Sequence, residues 1–145
     1  MVFCLNETRR RPEARPSHEG AAVGMNLLSL LLVALGGALG SVARVLAAWA
    51  IPASRLVWGT VLVNIVGSFL VGCLMARIEP MNAGSLRFHS LAVLGFCGGF
   101  TTFSSFSWQT FEQMQKGDWS AAIANVTLSV ALCLFATWLG WRLGR

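Results

Sequence analysis

One run in this 145-residue chain sets paired glycines, hydroxyls and aromatic rings together inside an apolar stretch: Gly95-Phe96-Cys97-Gly98-Gly99-Phe100-Thr101-Thr102-Phe103-Ser104-Ser105-Phe106-Ser107. Two glycines followed by two threonines are poor material for an unbroken helix. Glycine has the most backbone freedom to lose, and threonine is crowded against the preceding turn. The pattern predicts a local break, which frees carbonyls from one half-helix and N–H groups from the other. At membrane depth such groups persist only inside protein, where they commonly form an ion site. Carbonyls suit a small cation such as Na⁺, whereas N–H groups, amides and hydroxyls suit an anion. Phe103 and Phe106 are three residues apart and share a side of the helix, with Ser105 between them. A phenyl ring is positive around its edge. An anion can therefore meet ring edges while hydroxyl and amide hydrogens replace its water. Ordinary aromatic packing is the competing reading, because ring edges are weak ligands.

Other polar residues recur at helical spacing. Thr60, Asn64 and Ser68 are four apart; Asn125 and Ser129 repeat that interval, with Thr137 two turns on. A carboxamide buried in lipid needs partners, and its hydrogens serve an anion or a neighbouring helix equally well. Arg44 lies late in an apolar run. It either snorkels to a headgroup or raises the potential at a pore vestibule. Glu79, Glu112 and His89 read as solvated boundary residues. No carboxylate stands where a transported proton or organic cation would be held.

The elements that must position these groups are membrane helices. Hydrophobic residues make up 55% of the chain and charged ones 12%, against about 25% charged in a typical soluble domain. Between Asn26 and Arg77 the only charges are Arg44 and Arg55, and between Phe88 and Phe111 only His89 can carry charge near neutral pH. Such runs fit a hydrocarbon slab about 30 Å thick. The expected spans are Leu27 to Trp49, Leu56 to Ala76, Phe88 to Phe111, and Trp119 to Trp138 or Trp141. Polar connectors with Pro52 and Pro80 separate them, and Trp49, Trp58, Trp119, Trp138 and Trp141 sit near span ends, where indoles favour headgroup depth. Gly36 with Gly40, Gly95 with Gly99, and Gly67 beside Ser68 mark close helix approaches.

Residues 1–24 form a polar head with Pro12, Pro16 and mixed charge, expected to be a mobile tail ahead of a four-span domain at 25–145. Met25 is an alternative start. Arg77, Arg87, Arg142 and Arg145 join the arginines of the tail on one side, opposed by Arg55 and Lys116, which favours both termini inside. Starting at Met25 narrows the bias to those four against two, weak enough for insertion in either direction. The net charge of +5 does not indicate nucleic acid, because the basic tail also carries Glu7, Glu13 and Glu19. Cys4, Cys73, Cys97 and Cys133 form no ligand cluster or close pair.

These blocks resemble the small bacterial fluoride channels, the CrcB or Fluc family, from Met25 to Gly144. The marks are Gly36-Gly37-Ala38-Leu39-Gly40-Ser41 with Arg44, then Gly59-Thr60 leading to Asn64, Gly67 and Phe69, and most specifically Gly98 through Phe106. The resemblance implies an all-α integral membrane protein with four transmembrane helices and a break in the third. It also implies an antiparallel, dual-topology homodimer in the bacterial cytoplasmic (inner) membrane. Two fluoride pathways would follow the subunit interface, lined by Asn64, Phe103, Ser105, Phe106 and Ser129, with Arg44 at the vestibule. A structural Na⁺ at the dimer centre would be held by the backbone carbonyls of Gly98 and Thr101. Some members carry a tyrosine on the fourth span; this chain has none, and Asn125 stands there.

The implied activity is passive fluoride export without catalysis: no nucleotide motif or catalytic constellation is present. A small multidrug transporter would need an acidic residue in the first span, where this chain has Arg44. A non-transporting scaffold would leave the glycine break and the phenylalanine–hydroxyl pattern without a purpose.

Overall fold

Every described element is helical. The computed structural model describes residues 26–50, 56–78 and 83–145. The 1–24 tail, Met25, Pro52, Arg55, Glu79 and Pro80 lie outside them. Helix α1 (Leu27–Trp49) starts where Asn26 accepts the Ser29 N–H. It is followed by α2 (Leu56–Arg77), a short α3 (Ala83–Phe88), a π-helix (His89–Cys97), α4 (Gly98–Phe100), α5 (Phe103–Gln115) and α6 (Trp119–Gly144). Three of these, α1, α2 from Trp58, and α6, are long and apolar enough to cross a membrane. The expected third span is instead assembled from consecutive pieces, and it runs longer than the sequence suggests, from Ala83 to Gln115. Helix α6 likewise continues past Trp141 to Gly144.

Burial is inverted relative to a protein packed in water. The buried positions of α6 are Ala122, Asn125, Ser129, Ala136, Gly140 and Gly144, while Leu134, Phe135 and Trp138 are exposed. On α1 the buried residues are Gly36 and Gly40, and Leu31, Leu35, Leu39, Val42 and Leu46 face outward. Large apolar side chains on the outside are what lipid accepts. Between helices, lipid supplies no hydrophobic drive, so association depends on close van der Waals approach through small residues. This is a multi-pass integral membrane protein.

Two seams hold it together. Helix α1 packs on the π-helix and α4, and α6 packs along α2. A Cβ on Gly40 would strike the Phe96 carbonyl oxygen and lie 2.9 Å from the Phe100 nitrogen; one on Gly140 would strike the Phe69 carbonyl and lie 3.0 Å from the Cys73 nitrogen. The obstructing atoms are backbone, which cannot rotate away. Gly36 with Gly40, read from the sequence as a close approach, is thus the contact surface of the first seam. The π-helix has no signature in the sequence. Its last turn closes through the Gly98 N–H on the Val93 carbonyl, five residues earlier. Each π turn takes up extra chain and shifts the register of the residues after it, here just ahead of the break.

At the far end, Asp118 caps α6 by accepting from the Ala121 N–H and the Ser120 hydroxyl. Those bonds, the Ala121 one foremost, hold its carboxyl below the usual carboxylate range. A folded-state pKa below the unfolded one stabilises the fold above the unfolded value, about 3.9. That contribution fades as pH falls through the lowered one. The cap should persist throughout neutral and mildly acidic conditions.

Substituting Gly140 with Leu should force α6 off α2 and abolish a monodisperse elution peak in detergent. Leu39→Ala, on the 55% exposed lipid face of α1, should shift thermal stability by no more than about 0.5 kcal/mol.

Candidate functional site

The predicted break is present, one step later than the glycines suggest. Gly98 and Gly99 are helical, and the chain turns extended at Thr101 (φ −77°, ψ 157°) and Thr102 (φ −148°, ψ 109°). Gly99 serves close approach instead: a Cβ there would collide with the Gly37 carbonyl of α1.

Every helix end leaves backbone groups without intrahelical partners, and here neighbouring elements take them up. The Thr101 N–H and hydroxyl both donate to the Cys97 carbonyl at 3.0 Å. Arg44 Nε donates to the Gly99 carbonyl at 3.2 Å, and the Ser41 hydroxyl approaches it at 3.5 Å. Asn64 grips both sides of Thr102, accepting its N–H at 2.8 Å through Oδ1 and donating to its carbonyl at 3.2 Å through Nδ2. The Thr102 hydroxyl opens α5, accepting from the Ser105 N–H at 3.2 Å and donating to the Ser105 hydroxyl at 3.0 Å. The carbonyls of Gly98 and Thr101 find no hydrogen-bond donor among the described residues.

Two cavities meet at Thr102. The larger, about 350 Å³, is a cleft lined by Asn64, Ser68, Thr101, Thr102, Phe103, Phe106, Ser129 and Thr137 with apolar neighbours Val71, Val130 and Cys133. The smaller, about 160 Å³, is lined by Arg44, Ala48, Gly59, Thr60, Val63, Thr102, Ser105 and Gln109. Thus Asn64, Phe103, Phe106 and Ser129 come together in one cavity, while Arg44 and Ser105 fall in the other. The Phe103 and Phe106 rings are tilted against each other, centroids 5.5 Å apart, and Phe103 is 78% exposed. Arg44 follows neither expectation alone: its Nε is tied to backbone at the break, and the residue still borders the smaller cavity.

Hydrogen-bond direction decides what each group has left to offer. Asn64 uses one of its two N–H hydrogens on Thr102 and keeps the other. The Ser105 hydroxyl receives a hydrogen from Thr102, and its own meets no acceptor among the described residues. Thr101 has given its hydroxyl hydrogen to Cys97.

Known proteins match this chain over nearly their whole length. The family described as CrcB-like protein, Camphor Resistance (CrcB), matches residues 31–141. A protein from Geobacter sulfurreducens called "Fluoride-specific ion channel FluC" is 41% identical over 122 residues, 82% of this chain and 98% of that one. Proteins of the same name from Opitutus terrae and Shewanella oneidensis are each 45% identical, covering 76% and 79% of this chain and 87% and 94% of theirs. The chain belongs to the CrcB family.

Within this CrcB chain, sequence reasoning missed Thr102, Gln109 and Thr110. Thr102 looked like one more helix breaker, yet it is the residue shared by both cavities. Gln109 is 7% exposed, and its Oε1 has no hydrogen-bond partner among the described residues; its spacing four after Ser105 was the available signal. Thr110 bonds across to α6, which no local pattern reveals.

Thr102→Val should remove the cap of α5 without changing side-chain size. A loss of about 1 kcal/mol is expected, read as a lowered melting temperature in detergent. Thr102→Ser should recover most of it.

Proposed function

We propose that this chain is a passive, fluoride-selective channel that lets cytoplasmic fluoride leave down its electrochemical gradient. The carrying observation is the backbone break clasped by Asn64 and opening on a cleft that holds Phe103, Phe106 and Ser129. Relatives named as fluoride-specific channels, alike over most of the chain, support the choice of ion.

Fluoride is small and strongly hydrated, so its route must replace water with fixed hydrogen donors. The spare Asn64 N–H, the Ser129 and Ser105 hydroxyls and the edges of Phe103 and Phe106 are such donors. Each is neutral, so binding stays weak enough for release. Arg44, bordering the smaller cavity, draws anions toward it and with Ser41 keeps the Gly99 carbonyl from facing them. Low charge along the route leaves nothing to hold an anion permanently.

Assembly as an antiparallel homodimer of four-span subunits, inserted both ways in the bacterial cytoplasmic membrane, fits the outline of the site. The cleft is open on one side and Phe103 is 78% exposed, so a second copy would supply the missing wall. The carbonyls of Gly98 and Thr101 suit a structural Na⁺ at the centre of such a dimer. They are neutral oxygens, freed by the break and unclaimed by any donor among the described residues, the ligand type a hard monovalent cation takes. When bound, the ion would supply a fixed positive charge and hold the break open.

Purified protein in liposomes loaded with fluoride or chloride tests this. Fluoride discharge with little chloride discharge is expected; chloride flux without fluoride flux would overturn the proposal. Asn64→Ala and Phe103→Ile should each lower fluoride efflux at least about tenfold, the loss of a donor or ring edge in a dry site. Assembly should be largely retained in Phe103→Ile, whereas Asn64→Ala, which orphans both polar groups of Thr102, should also lower the melting temperature in detergent. Wild-type rates in both would remove these residues from the route.

A further inference from the structure

We infer that Thr110 is a positioning residue for the ion route: its hydroxyl fixes which end of the Asn125 carboxamide faces Ser129, and so keeps the Ser129 hydroxyl a loosely held donor. This rests on the channel reading above and adds the residue that tunes one of its ligands.

Thr110 on α5 and Asn125 and Ser129 on α6 are each more than nine-tenths buried, at 7%, 6% and 6% exposure. The Thr110 hydroxyl donates to the Phe106 carbonyl at 2.8 Å. A hydroxyl has one hydrogen, so toward α6 it can only accept. Asn125 Nδ2 donates to it at 2.8 Å. The two ends of a carboxamide are nearly alike in shape, and neighbours choose between them. Turning Asn125 over would set its carbonyl oxygen against the Thr110 oxygen, two acceptors with no hydrogen between them. Thr110 therefore forces the carbonyl end toward Ser129.

There Oδ1 receives the Ser129 hydroxyl hydrogen at 3.4 Å, at the long limit of a hydrogen bond. Ser129 lines the cleft beside Phe103 and Phe106, and Asn125 does not. The Ser129 hydrogen is thus parked on a weak acceptor from which a passing anion draws it and to which it returns. With the amide reversed, the NH₂ would donate to the Ser129 oxygen and leave that hydrogen permanently free for the cleft. A permanent donor holds fluoride harder, and conduction requires release. The polarity of one buried amide, set from α5, so sets the strength of a ligand on α6.

The test is the rate of fluoride efflux from proteoliposomes as a function of fluoride concentration, normalised to protein eluting at the wild-type position. Thr110→Val keeps the shape but frees the amide to reverse. It should lower both the half-saturating fluoride concentration and the maximal rate roughly three- to tenfold, the size of one neutral hydrogen bond. Thr110→Ser should restore both. In a Ser129→Ala background, Thr110→Val should leave the half-saturating concentration unchanged. A wild-type saturation curve for Thr110→Val overturns the inference. So does a slower rate with unchanged half-saturation that Thr110→Ser does not rescue, or an equal shift without the Ser129 hydroxyl. Failure of the wild-type protein to discharge fluoride would instead sink the channel reading, and this inference with it.

Discussion

A peptide group in hydrocarbon has no water to bond with, and the break at Thr101 and Thr102 sets several such groups in the interior of a membrane protein. An unsatisfied group there costs several kcal/mol. The break therefore exists only because other elements answer it. Asn64 from α2 takes both polar groups of Thr102, and Arg44 with Ser41 from α1 takes the Gly99 carbonyl. The Thr102 hydroxyl starts the next helix. Two groups left over, the Gly98 and Thr101 carbonyls, are the ones that a bound cation would satisfy.

Such an arrangement requires that α1 and α2 stand at fixed distances from the broken segment. Small residues provide this. The Gly36 and Gly40 face of α1 lies directly on the backbone of the π-helix, and Gly140 of α6 on that of α2. Backbone-on-backbone contact leaves little room for sliding, so Asn64 and Arg44 meet the break at hydrogen-bonding distance. Gly67 allows a close approach of another kind, to a side chain, since a Cβ there would run into the Thr101 methyl. The inverted burial pattern has the same physical origin. Lipid tolerates large apolar side chains outside, and mostly slim or hydrogen-bonded ones fit inside.

The chemistry of the cavities is then a matter of where hydrogens point. Hydroxyls and amides are numerous along α5 and α6, but many are already engaged. The Thr101 and Thr110 hydroxyls give theirs to backbone carbonyls. The remaining donors, on Asn64, Ser105 and Ser129, lie on either side of Thr102. A route that dehydrates an ion without trapping it can mix donors that have no other partner among the described residues, the spare Asn64 N–H and the Ser105 hydroxyl, with one held loosely, the Ser129 hydroxyl. Donors firmly engaged elsewhere would not reach the ion.

Much of this was legible in the residues themselves. Apolar run length determined the membrane class and the bounds of α1, because hydrocarbon thickness sets helix length. The glycine and threonine run determined that the third apolar stretch would break, because those residues are intrinsically poor helix formers. The resemblance carried by Gly98 through Phe106 pointed to the family that the relatives of this chain bear out. What only the tertiary structure decided was partnership. The break fell on the threonines, because Gly98 and Gly99 are held as helix, Gly99 hard against α1. Asn64 became a backbone clasp, Arg44 found the Gly99 carbonyl, and Ser105 parted from Phe106 into a separate cavity. Thr110 met Asn125 across two helices. Spacing along one helix reports which residues share a face; it carries no record of the donor or acceptor that the facing helix brings to meet them.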